Sequence, residues 1–445
     1  MKTTKILWVL ILTALLFVSC DNDSTGTDRT ESDYDKGIIA GYTITSDTTW
    51  SSDVITVNGQ IVVEAGASLT IAAGTTVTFE SHGGDVNKVG LIITKAGNGT
   101  LPSGKLIANG TSSNPIVFTS NSSAPSAGDW GGIILVGEAY INAPADKAFV
   151  EGLPFEVAYG RQDRTKDTDH SGSLKYVVIE YCGFGLSADS EVNGLSLYGC
   201  GSGTVLDYVQ VYKCTDDGFE FFGGKVSASH LISWCNDDDS FDADQGWSGN
   251  GQFWLAVQAP GADNGFEMDG RSKLGVGEAT NPNLYNITLI GFGKDGKDDG
   301  DKNYGMRLRE DFSGNLHNIL ITNFAGINFK LENNKKSDYD STEDNYLTGG
   351  ILAIDNVLVA NNNLTNSQAF EGFKDDTQKG QFLTGSNHIS YVSSSVLENT
   401  YLLKSSVTAP NAKTSSLPAG ILSANYVGAF NGSDDWTTGW SRKQD

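Results

Sequence analysis

The sequence is short of positive charge, histidine and cysteine, and each shortage closes off a class of function. Thirty Lys and Arg stand against fifty-four Asp and Glu, a net charge of −24. Nucleic acid and anionic membrane surfaces are therefore poor partners, while divalent cations and neutral or cationic partners are better ones. The five histidines, at positions 82, 170, 230, 317 and 388, form no local motif, and no Ser-His-Asp or Cys-His arrangement is signalled. Apart from Cys20 there are four cysteines, Cys182, Cys200, Cys214 and Cys235. Their spacings of 18, 14 and 21 are not those of a zinc site, and no histidine accompanies them. The glycine-rich loops lack phosphate-loop spacing. Helix-periodic stretches are almost absent, and beyond the N-terminal region no segment is long and apolar enough to span a membrane.

What is present is a short strand that recurs with a charge on it. It reads Gly194-Leu-Ser-Leu197, Gly218-Phe-Glu-Phe221, Ser240-Phe-Asp-Ala243 and Gly265-Phe-Glu-Met268. It continues as Gly305-Met-Arg-Leu308, Gly326-Ile-Asn-Phe329 and Ala369-Phe-Glu-Gly372. Apolar residues at period 2 make each copy a half-buried strand, with the variable position facing outward. A second strand recurs between the copies, as in Leu206-Asp-Tyr-Val-Gln-Val211 and Leu316-His-Asn-Ile-Leu-Ile321. The anchors 195, 219, 241, 266, 306, 327 and 370 are spaced 24, 22, 25, 40, 21 and 43. A period of 22 to 25 with long insertions is that of a solenoid. The fold expected is an all-β, right-handed parallel β-helix, its hand set by the general chirality of parallel crossovers. Fifty-three glycines suit the corners of such coils.

The chain opens Met-Lys-Thr-Thr-Lys, followed by an apolar run from Ile6 to Val18. That is the pattern of a secretory signal over residues 1–19. Phe17-Val-Ser-Cys20 resembles a bacterial lipobox, which makes Cys20 the expected lipidation site. Asp21-Asn-Asp23 resembles an acidic surface-export tag, and residues 20–36 read as a flexible tether. The expected location is the outer membrane, held by lipid alone and facing the exterior. The β-helix is expected over 37–425, with the aromatic-rich 426–445 as a cap over the last coil. Asp167-Thr-Asp-His-Ser-Gly172 resembles the start of a calcium loop, but Val178 stands where the closing Glu belongs, so a polar turn is expected.

Stacking the copies puts Glu220, Asp242, Glu267 and Arg307 outward at one level, and Phe222, Asp244, Asp269, Arg309 and Lys330 at the next. Asp216-Asp217 and Asp237-Asp238-Asp239 immediately precede these strands. Like charges on coils ~5 Å apart repel, and strand pairing does not require them. Three resolutions are available. A cation, calcium, takes clustered carboxylates, here Asp216, Asp217, Asp237, Asp238, Asp239, Asp242 and Asp244. A glycoside hydrolase or polysaccharide lyase would use Glu220, Asp242 and Glu267 with Arg307. A structural or adhesive protein would leave the column inert. A ligand site over the column comprises Asp217, Glu220, Asp242, Asp244, Glu267, Asp269, Arg307 and Arg309, with Trp247 as an exposed stacking surface for a sugar. Trp234 and Trp254, on strands, are expected in the core. The preferred function is binding of extracellular polysaccharide or a surface protein.

Among the cysteines, three end equivalent strands on coils ~4.8 Å apart, inside disulfide range. Cys214–Cys235 is the favoured pair, Cys182–Cys214 fits nearly as well, and a buried column of reduced thiols is the alternative.

Asp216-Asp-Gly-Phe-Glu-Phe-Phe-Gly-Gly224, Asn236-Asp-Asp-Asp-Ser-Phe-Asp-Ala-Asp-Gln-Gly-Trp247 and Asn264-Gly-Phe-Glu-Met-Asp269 resemble a large family of secreted Bacteroidetes proteins. Asp129-Trp-Gly-Gly-Ile133 and Val427-Gly-Ala-Phe430 resemble it too. The resemblance covers nearly all of the mature chain. It implies a β-helix lipoprotein or secreted surface protein and carries over no established catalytic residues. A broader likeness to pectate-lyase-like β-helices is one of fold, which does not imply function. The His-Gly and Arg-x-Lys signatures of polygalacturonases are not recognisable here.

Overall fold

The protein is described by a computed structural model over residues 38–81, 89–143, 148–153, 155–184, 192–271, 277–293, 303–324, 327–332, 352–360, 370–372, 379–380, 389–392, 396–397, 401–404, 414–432 and 434–443. Residues 333–350, and with them the expected signal, lipidation site Cys20 and tether, lie outside the described residues. Among them, a 25-stranded sheet winds through the chain with all its pairings parallel. The fold is a parallel β-helix. No helix among the described residues is long and apolar enough to cross a membrane.

Each central coil contributes two strands. A short one, such as Phe219–Phe222, lies on one face. A longer one, such as Val205–Tyr212, bends midway and serves the other two faces. The bend is a single residue in the left-handed region: Tyr176, Tyr208, His230, Asn286, Asn318 and Asn356 have φ between 50° and 59°. A non-glycine residue there costs about 1–2 kcal/mol, so stacking must offset it. Tyr176 stacks on Tyr208 at 4.4 Å and Tyr208 on His230 at 4.0 Å. Further along, asparagines take over the bend, and Asn356 Nδ2 donates to Asn318 Oδ1 at 2.9 Å.

Alternation then fills the interior. One continuous apolar core runs from Ile39 to Phe370. Beneath the short-strand face it is aromatic: Phe219 stacks on Phe241 at 5.4 Å, and Phe221 lies 4.3 Å from Trp247 and 5.6 Å from Trp254.

The terminal segment, expected as a cap, reaches the Ala353–Ala360 strand through Val427 and extends well beyond it. It runs along the flank of central coils, where the outward residues Tyr212, Trp234 and Val257 are apolar and need covering. Asn286 Nδ2 donates to Tyr426 O, Trp440 packs edge-on against Tyr176 and Tyr208, and Arg442 N–H donates to Gln210 Oε1 at 2.7 Å. Trp234 is therefore buried, but on this outer flank rather than in the interior.

Candidate functional site

The site is built on the short-strand face. Parallel register sets Ser196, Glu220, Asp242, Glu267, Arg307, Lys330 and Glu371 in one outward column. A second column runs Phe222, Asp244 and, further on, Asp269, Arg309 and Glu332. Lys330 thus belongs to the first column, not the second. The strand expected to start at Ile327 is Phe329–Glu332, two residues later, because Phe329 rather than Ile327 pairs with Met306. Asn328 sits in the preceding turn and is fully buried.

The turns add their own acids. Asp217 Oδ1 accepts the backbone N–H of Asp239 at 2.9 Å, and Asp239 Oδ1 accepts that of Asn264 at 2.6 Å. Asn264 Oδ1 accepts Tyr304 N–H at 3.3 Å. This side-chain ladder holds each turn against the next and fixes the carboxylates at coil spacing. Three residues before Phe219, Phe241 and Phe266 stand Asp216, Asp238 and Asp263. Asp263 was not among the residues expected at the site, yet that repeat position marks it.

Carboxylate oxygens converge in four overlapping groups, each with its oxygens within 4.8 Å of one another. They are Asp216, Asp217 and Asp238; Asp217, Glu220 and Asp242; Asp238, Asp239 and Asp263; and Asp239, Asp242 and Glu267. Asp237, Asp244 and Asp269 belong to none of them. Asp237 instead borders a cavity of about 710 Å3 on another face, with Lys213, Trp234, Cys235 and Ile290. That cavity takes in no member of the four groups.

Among the described residues, counter-charge is confined to one end. Arg307 contacts Glu267 and Glu332 at 2.7 Å each, and Arg309 contacts Asp269 at 2.5 Å and Glu267 at 3.0 Å. Among the described residues, Glu220 meets a neutral donor, the Asn193 amide. Asp242 and Asp244 are half-buried residues, but Oδ1 of each is sealed from solvent and has no hydrogen-bond partner. Burial first, then neighbouring carboxylates, push Asp217, Glu220, Asp239, Asp242 and Asp244 well above the ordinary carboxylate range. Burial carries Glu267 up to about 7 against the opposing pull of Arg309 and Arg307. Burial alone would raise Glu332, but the Arg307 hydrogen bond and charge outweigh it and lower the carboxyl.

Trp247 corrects an expectation. It is fully buried in the aromatic interior, and its Nε1 donates to Val226 O at 3.0 Å, so it offers no sugar-stacking surface. Phe222 is covered as well. It stacks on Tyr198 at 3.9 Å beneath the 148–159 hairpin, whose Tyr159 hydroxyl donates to Gln245 Oε1 at 2.6 Å. Burial pushes the Tyr159 hydroxyl up, and the charge of Asp244 adds to it. Asp167–Ser171 is a polar turn leading into the strand that starts at Gly172: Asp167 pairs with Arg164, and Asp169 accepts from Ser103 and Ser171.

The favoured Cys214–Cys235 pair is not formed. Cys182, Cys214 and Asn236 occupy one register, while Cys235 aligns with Tyr181 and Lys213 at left-handed turns. One residue of offset turns Cys235 away from the interior. The Cys214 Sγ lies 3.3 Å from Cys182 Sγ, and the four described cysteines are free thiols.

Chemically, this arrangement is a dense oxygen-donor surface with no cationic side chain paired to it over its central coils among the described residues. All-oxygen donors with unmet lone pairs suit a hard divalent cation. A family model described as a pectate-lyase like beta helix domain matches residues 42–441. No curated protein and no solved structure matches the chain.

Proposed function

The chain belongs to the pectate-lyase-like β-helix family, and from that premise we propose that its acidic face binds calcium and, through it, an extracellular polysaccharide. The observation that carries this reading is Asp242. Its Oδ1 is buried and unpartnered, and the side chain belongs to two of the carboxylate groups. A buried, unpaired carboxylate is costly, and a bound cation removes the cost. Glu220, Asp217, Asp239, Asp263 and Glu267 supply further oxygens. Asp244 stands beside the site, and Asp269, Arg307 and Arg309 close one end of it. The lipobox-like Cys20 supports an outer-membrane lipid anchor facing the exterior, where calcium and polysaccharide are both available.

The test is thermal melting of the whole chain during calcium titration. A ligand at a hundred times its Kd stabilises by about 2.7 kcal/mol. No shift at millimolar calcium would sink the cation claim. Glycan binding in calcium against EDTA tests the second half. Reducing-end and unsaturated-product assays on the same glycans separate binding from turnover. Turnover abolished by Glu220→Gln or Asp242→Asn would replace binding with catalysis.

A further inference from the structure

We infer that Asn98 is a site of self-modification, where the chain converts its own side-chain amide to a carboxylate. The reaction needs an asparagine whose side-chain carbon is open to attack by the next backbone nitrogen. Glycine in that next position hinders the attack least. The chain has seven Asn-Gly pairs, beginning at Asn58, Asn98, Asn109, Asn193, Asn250, Asn264 and Asn431. The fold treats them differently.

Five are locked. Gly110, Gly194 and Gly265 donate their N–H to Lys175 O at 2.7 Å, Asp217 O at 2.9 Å and Tyr304 O at 2.9 Å. Asn58-Gly59 lies inside the strand Val54–Val63, and Asn250-Gly251 opens the strand Asn250–Gln252. A nitrogen held in a coil-to-coil bond cannot turn to the side chain without breaking that bond. Asn431 is exposed, but among the described residues nothing donates to its side-chain oxygen.

Asn98 combines access with assistance. It is exposed, and among the described residues the Gly99 N–H has no acceptor. Gly99 has a φ of +82°, and the space where a Cβ would stand is open. Asn98 Oδ1 accepts the backbone N–H of Thr100 at 3.1 Å and of Leu101 at 2.9 Å. When Gly99 N gives its proton to solvent base and bonds to Asn98 Cγ, negative charge gathers on Oδ1. The two donors already stand there, as in an oxyanion hole. The Cγ–Nδ2 bond then breaks, ammonia leaves with a proton from water, and an imide ring closes. Water opens the ring at either carbonyl. Opening at Cγ gives aspartate, and opening at the backbone carbonyl gives isoaspartate, with the chain routed through the side chain. The net change is amide plus water to carboxylate plus ammonium, so no oxidant or cofactor is required. The isoaspartate product adds a carbon to the path of a turn whose Pro102 O accepts from Gly66 N–H at 2.8 Å.

The full chain is incubated at mildly alkaline pH, folded and in urea. The Asn-Gly peptides are followed by mass spectrometry, with electron-transfer fragmentation to tell aspartate from isoaspartate. In the folded chain Asn98 should convert first, at least about tenfold faster than Asn109, Asn193 and Asn264. It should also outpace Asn431, which has exposure without the two donors. In urea the rates should converge. Thr100→Pro removes one donor, keeps the Asn-Gly pair and should slow Asn98 toward Asn431. Conversion of Asn98 no faster than Asn431, or slower in the folded chain than in urea, overturns the assignment. So does an unchanged rate in Thr100→Pro. The comparison within the parent chain decides the matter even if that variant disturbs the turn.

Discussion

Arg309 grips Asp269 through two parallel hydrogen bonds, Nε to Oδ1 at 2.5 Å and Nη2 to Oδ2 at 2.7 Å. On the neighbouring coil Asp244 shares the same column, with one oxygen unpartnered. The face is thus divided into a neutralised end and a bare end. Arg309→Ala removes the fork and leaves Asp269 and part of Glu267 without their counter-charge. Both partners keep some solvent contact, so a loss of about 1–3 kcal/mol is expected rather than the larger cost of a sealed pair. Urea unfolding in EDTA reads it. An unchanged midpoint would mean that solvent already screens this pair.

The bare end makes stability without calcium depend on pH. Its carboxyls are raised in the folded chain above their unfolded values of about 4. Folding therefore favours the protonated form. That stability is fully present below the unfolded values and is lost as pH rises through the folded ones, which lie well above the ordinary range for Glu220, Asp242 and Asp244 and at about 7 for Glu267 at the border with the arginines. In EDTA the melting temperature should fall steadily from about pH 5 to about pH 8. Calcium displaces these protons, so its stabilisation should grow over the same interval. A calcium-free profile that rises with pH would contradict the enclosure of the acids.

Asp242→Asn separates folding from binding. The amide keeps the shape and removes a buried charge that lies in register between Glu220 and Glu267. Without calcium the variant should be more stable than the parent by about 1–3 kcal/mol. With calcium it should gain less, because both groups containing Asp242 lose a ligand. Paired melts with and without calcium check both signs. A variant less stable in EDTA and equally responsive to calcium would make Asp242 an ordinary structural residue.

The coil order and the column from Glu220 to Arg307 were legible in the sequence because period-2 alternation forces every outward residue to one side. What failed was what alternation does not reach. Trp247 lies in a turn after Gly246, whose φ of +83° bends the chain, and the indole follows that bend inward. Asp263 lies in a turn as well, and only its offset from Phe266 reveals it. Ile327 satisfied the local pattern, but Phe329 carries the pairing, a choice made by the neighbouring coil. The terminal aromatics cover the flank because Tyr212, Trp234 and Val257 form an apolar outer stripe, which is a tertiary feature. Trp247→Ala, a core truncation, should cost about 3–5 kcal/mol in thermal or urea unfolding. A near-neutral change would return Trp247 to the surface.

The last prediction concerns the thiols. Cys182 and Cys214 are fully buried and face one another in successive coils, with Asn236 continuing their register and accepting the Cys214 backbone N–H at 2.9 Å. Cys235, one residue off that register, packs on the outer flank instead. If a protein disulfide or oxidised glutathione accepts the electrons during folding, before the coils close, the bond formed should be Cys182–Cys214. It would close a 32-residue separation and contribute about 3–4 kcal/mol by restricting the unfolded chain. Peptide mapping of the unreduced, alkylated protein should recover that linkage, with Cys200 and Cys235 alkylated once the chain is denatured. Cys182→Ser should lower the melting temperature of the oxidised protein, and Cys235→Ser should leave it unchanged. Recovery of a Cys214–Cys235 linkage would show that the register does not select the pair.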